Sequence, residues 1–96
     1  MRKLEWRDTA RQDLLAIIDY IAEENPDAAQ RLKDDIEAKA ALLPERPQLY
    51  RVGRVDGTRE MVVRSSYIVV YAIHPAAITI LRILHGAQQW PPMPSP

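Results

Sequence analysis

The chain has 96 residues, nearly half of them hydrophobic, with thirteen basic against thirteen acidic side chains and no cysteine. That is material for one small domain with a single core; it excludes disulfides and thiolate metal sites, and it fits a reducing cytoplasm. No apolar run approaches the roughly 20 residues that a membrane helix needs and no signal peptide opens the chain, so no membrane partner is expected.

Lys3-Leu4-Glu5-Trp6 alternates polar and apolar residues, the period of a half-buried strand. Thr9 then has the character of a helix N-cap, with Gln12 three residues on as its capping-box partner. Ala10, Leu14, Ile17, Ile18 and Ile21 recur at helical spacing and form one apolar face. Pro26 ends that helix. Asp27 begins the next, with Gln30 as its box partner, and Ala29, Leu32, Ile36, Ala40 and Leu43 line its apolar face up to Pro44 and Pro47. The two helices are expected to form an antiparallel hairpin.

Residues 44–58 are irregular, with a short strand expected around Arg51–Val55. Three strands follow, rich in Val, Ile, Tyr and Thr. The second, Tyr67–Ile73, is apolar on both faces and is expected to be central. His74-Pro75-Ala76-Ala77 is a hairpin turn. In the last strand, strict alternation places Ile80, Arg82 and Leu84 on one face and Thr79, Leu81, Ile83 and His85 on the other. One of these faces meets the helices; the other, if uncovered, is an apolar surface with arginines at its margin. The predicted fold class is α+β: an N-terminal strand, a two-helix hairpin and a three-stranded antiparallel meander, with the helices on one face of the sheet. Residues 1–90 are expected to form the single domain and 91–96 a proline-rich tail.

The zero net charge hides an asymmetry. Residues 1–45 carry −4 and residues 46–96 carry +4, and every basic group in the second part is an arginine: Arg46, Arg51, Arg54, Arg59, Arg64 and Arg82. The guanidinium fork suits carboxylate or phosphate, so these residues are either a surface for an acidic peptide or nucleic acid, or scattered surface charges. His74 and His85, with no cysteine and no clustered carboxylates beside them, provide no metal-ligand set. Gly53, Gly57 and Gly86 make no phosphate-cradling loop. No metal and no cofactor is expected.

Three segments, in this order, carry a resemblance. Gly57-x-Arg59-Glu60, then Tyr67-Ile68-Val69-Val70-Tyr71, then an apolar strand closing in Leu84-His85-x-x-Gln88-Gln89-Trp90-Pro91 resemble the RelE/ParE superfamily of toxins from type II toxin–antitoxin pairs, above all its ParE branch. The helical hairpin resembles it too, so the similarity spans nearly the whole chain. The resemblance implies a cognate antitoxin as partner, often with an acidic tail, for which Arg59, Arg64 and Arg82 are the candidate contacts.

The superfamily contains both ribonucleases and inhibitors of DNA gyrase. In RelE-type ribonucleases an arginine after the first residue of the second meander strand grips the scissile phosphate; here that position is Ile68. Basic residues after the last strand are also missing, since Gly86–Trp90 is uncharged. The reading that follows is a ParE-like gyrase inhibitor and not an enzyme, with His85, Gln88, Gln89 and Trp90 as the candidate target-binding residues. Two alternatives stay open. One is a messenger RNA endoribonuclease using His85, Arg64 and Arg82; the other is a non-toxic module that only binds antitoxin. Direct nucleic-acid binding is left open.

Overall fold

The structure is a computed structural model, and it describes residues 2–86. In chain order the elements are β1 (Lys3–Trp6), α1 (Asp8–Ala22), α2 (Pro26–Ala41), β2 (Arg51–Val52), β3 (Thr58–Val63), β4 (Tyr67–Ile73) and β5 (Ala77–His85). The strands form one sheet in the order β1-β5-β4-β3-β2. The meander β3-β4-β5 is antiparallel, and β4 lies at its centre. The α+β class with a helical hairpin and a meander is therefore present, but the sheet is mixed: β1 pairs in parallel with β5. Sequence pattern specifies that a strand exists; its pairing partner depends on where the α1–α2 excursion returns the chain.

The helix starts differ from the sequence expectation. Thr9 does not cap α1. The N-cap is Arg7, which supplies no side-chain bond, and the Thr9 hydroxyl instead donates to the Leu81 carbonyl of β5 at 2.9 Å. Pro26 does not terminate α1, which ends at Ala22; it is the first residue of α2, where a missing N–H costs nothing. Asn25 is the true cap, its side-chain oxygen accepting from the Ala28 amide at 3.0 Å. Gln30 makes no capping box either; its amide donates to Asp34 one turn on.

The core lies between the hairpin and one sheet face. Ala10, Leu14, Leu32, Ile36, Ala40 and Leu43 meet Met61, Val63, Val69, Tyr71, Ile78, Ile80 and Ile83. Ile17, Ile18 and Ile21, expected in the core, are only partly buried at its border. A β-bulge explains the main error in the assignment of faces. Val70 pairs with Arg82 but Tyr71 pairs with Ile80, so Leu81 is the extra residue. The alternation breaks there: Ile80 joins Ile83 in the main core, and Leu81 packs against a second cluster of Ile68, Val70 and Leu84 on the opposite face. The members of that second cluster are themselves buried, so this face is not the exposed apolar surface that alternation alone suggests. Among the described residues no helix is long and apolar enough to cross a membrane.

Candidate functional site

At one end of the sheet Tyr67 pairs with both Val63 and His85, so the β3–β4 turn and the end of β5 lie side by side. The turn is tight. Arg64 and Ser65 both have positive φ, 53° and 57°, and the Ser66 amide donates back to the Arg64 carbonyl at 2.6 Å. The Ser66 carbonyl then accepts from Gly86, which fixes the exit of β5. The His85 ring stands edge-on to Tyr67, with centroids 5.7 Å apart. Both rings border an open cleft of about 420 Å³ whose other wall is α1: Ala16, Ile17, Tyr20 and Ile21. Tyr20 is 77% exposed, an unusual position for a large aromatic side chain.

The candidate arginines are all engaged inside the fold. Arg64 donates to Asp35 of α2 at 3.1 Å, and its guanidinium also approaches the Arg31 carbonyl. Arg82 makes a bidentate pair with Asp13 of α1, at 2.6 and 3.1 Å. Arg59 donates to the main-chain carbonyls of Gln48 and Tyr50 and so holds the irregular segment before β2. Arg64, Arg82 and His85 therefore sit on different supports: one on α2, one midway along α1, one beside Tyr67. Ile68, at the position where a ribonuclease needs an arginine, is 7% exposed and packed with Val70 and Leu84. Gln88, Gln89 and Trp90 lie outside the described residues.

Two acidic side chains matter more than the sequence suggests. Asp13 accepts from Arg82 and also from the Ile83 amide at 2.9 Å. With Thr9 one turn earlier, it supplies polar partners to the stretch of β5 that lies beyond the four-residue β1. A signal existed: Ala10, Asp13, Leu14 and Ile17 fall on one helical face, and an acid on an apolar face needs a partner. Glu60 is 2% exposed, and its carboxylate binds Arg51 at 2.8 Å, the Arg54 amide at 3.1 Å and the Arg54 guanidinium at 3.4 Å. Burial alone would push this carboxyl up. The Arg54 amide and the two guanidinium groups outweigh that and hold it below the usual glutamate value. Tyr71 is fully buried and donates to the Pro47 carbonyl at 2.6 Å; burial pushes its phenol up to about 12, against the nearby Arg59 charge. Glu60, Arg59 and Tyr71 thus organise residues 47–54. Among the described residues no three His, Cys, Asp or Glu side chains gather as metal ligands.

Comparison with known proteins gives consistent results. Residues 4–90 match the profile of the ParE toxin of the parDE type II toxin–antitoxin system. The chain is 36% identical to the putative toxin Y4kP of Sinorhizobium fredii over 91 residues, covering 94% of each. It is 35% identical to toxin RelE2 of Caulobacter vibrioides, covering 92% of this chain and 99% of that one. Among solved structures, a chain of the chromosomal ParDE toxin–antitoxin system from P. aeruginosa superposes with a TM-score of 0.82 at 26% identity, covering 88% of this chain and 96% of the other. The conserved hypothetical protein HP0894 of Helicobacter pylori shares the fold alone, with a TM-score of 0.58 at 16% identity and coverage of 92% and 98%. The mixed sheet, the helical hairpin and a family match across nearly the full chain agree: this protein belongs to the ParE toxin family of type II toxin–antitoxin systems, within the RelE/ParE superfamily.

Proposed function

We propose that this toxin acts in the cytoplasm by binding DNA gyrase, without enzymatic activity of its own, and that a cognate antitoxin neutralises it. The observation that carries this reading is the state of the candidate ribonuclease groups. Cleavage of RNA by its own 2′-hydroxyl needs a base, an acid and positive charge converging on one phosphate. Here Arg64 and Arg82 are each neutralised by an acid of the protein itself, on different helices, and the phosphate-gripping position is the buried Ile68. A binding surface needs no such convergence. The end of the sheet around His85 and Tyr67, with Gln88, Gln89 and Trp90 following in sequence, is the candidate for it. Large aromatic side chains dominate interfaces when they fill a pocket on the partner, and Trp90 has that chemistry.

The test is a pair of assays on the same purified toxin. Gyrase supercoiling is expected to be inhibited at stoichiometric toxin, and ribosome-bound messenger RNA is expected to remain intact. Codon-specific cleavage, lost in a folded His85→Ala protein, would instead establish the ribonuclease alternative.

A further inference from the structure

The acidic and basic halves of the chain do not present themselves equally. Four of the six arginines in the second half, Arg51, Arg54, Arg64 and Arg82, are matched by acids of the protein itself, and Arg59 is held by carbonyls. On the hairpin the opposite holds beside the His85 cleft. Glu23 and Glu24, at the end of α1, are exposed and have no cationic partner among the described residues. With Asn25 they line a recess of about 290 Å³ that shares Tyr20 and Ile21 as a wall with the His85 cleft of about 420 Å³. An apolar slot and a carboxylate pair are therefore adjacent, divided only by Tyr20 and Ile21.

We infer that this double recess receives a segment of the antitoxin in which an apolar side chain enters the slot between α1 and Tyr67 and a neighbouring lysine or arginine pairs with Glu23 and Glu24. The inference rests on the antitoxin partner that membership of the family implies. It assigns the electrostatics of this contact to a basic segment, the reverse of an acidic tail meeting Arg59, Arg64 and Arg82. Charge selects the occupant: the slot is walled by Ala16, Ile17 and Ile21, and the exposed carboxylates of Glu23 and Glu24 lie beside it. A partner bearing acids there meets like charge at close range, which costs affinity and slows association.

The experiment uses the full-length toxin and the purified product of the reading frame beside its gene, titrated calorimetrically at low and high salt. Two variants probe the two halves. Glu23→Lys with Glu24→Lys reverses the charge at exposed positions. Ala16→Trp fills the slot from an exposed helix position. Each is first checked for an unchanged thermal midpoint, and Ala16→Leu replaces Ala16→Trp if that variant is destabilised. Each is expected to weaken binding by about tenfold or more, and the charge reversal is expected to flatten the salt dependence of affinity. Folded variants that bind like the parent, or a charge reversal that tightens binding, overturn the inference. A parent toxin that does not bind this product at all overturns the antitoxin pairing as well, so the two failures are distinct.

Discussion

Arg82 and Asp13 are 69 positions apart in sequence, yet this pair ties β5 to α1 just where β1 ends. Replacing Asp13 by Ala removes the bidentate acceptor of Arg82 and leaves the Ile83 amide without its carboxylate, an expected loss of about 1–3 kcal/mol. Asp13→Asn keeps an acceptor and is expected to lose less; urea denaturation of both variants measures the difference. Glu60 makes a prediction in pH. Its pKa is lower in the folded state, so the stability it contributes is present above the unfolded carboxylate value and is lost as pH falls through the folded value. Glu60→Gln is expected to flatten the acid limb of a stability–pH curve relative to the parent. Tyr71 works in the other direction. Its folded value of about 12 lies above the unfolded value near 10, so stability is full below pH ~10 and falls as pH rises through 12. Tyr71→Phe is expected to cost about 1 kcal/mol at neutral pH by removing the bond to Pro47, and to remove that alkaline loss. Thermal midpoints taken from pH 4 to pH 11 check both substitutions.

At the scale of elements, the helices and the meander were legible because their apolar periods are long and unbroken. Ile36 shows this: periodicity places it on the inner face of α2, and it is fully buried in the core. Ile36→Ala is expected to cost about 2–5 kcal/mol in denaturant titration. Caps were less legible, because Thr9, Asn25 and Asp27 are all cap-capable and only the tertiary fold decides which is used. The faces of β5 were misread for a specific reason. A bulge at Leu81 costs one residue of register, and nothing in Leu81-Arg82-Ile83 distinguishes it from regular strand. The β3–β4 turn offers a gain in stability. Ser65 adopts a left-handed conformation that L-residues occupy at a cost of roughly 1–2 kcal/mol. Ser65→Gly is therefore expected to stabilise the protein by up to about 1 kcal/mol, read as a higher urea midpoint with an unchanged slope.

For the whole molecule, the family was legible from the order of its strands and from Leu84-His85, whereas the partners of the arginines were not. Each acid that engages Arg64 or Arg82 lies 29 or more positions away, on a helix whose distance to the sheet no sequence pattern encodes. Those partners bear on mechanism, since an arginine held by its own acid is a fastener before it is a phosphate ligand. The same logic separates two substitutions in toxicity. His85→Ala is expected to weaken a gyrase binder by less than Trp90→Ala does, whereas a nuclease losing its acid or base drops by roughly 100-fold or more. Trp90→Ala is expected to have the larger effect on gyrase, provided that folding and antitoxin binding are intact. The measurement that tests the account most directly is DNA supercoiling by purified gyrase titrated with this toxin, with and without its antitoxin. Inhibition is expected near stoichiometric toxin, relieved by antitoxin. Full supercoiling at excess active toxin, together with cleavage of translated messenger RNA, would contradict it.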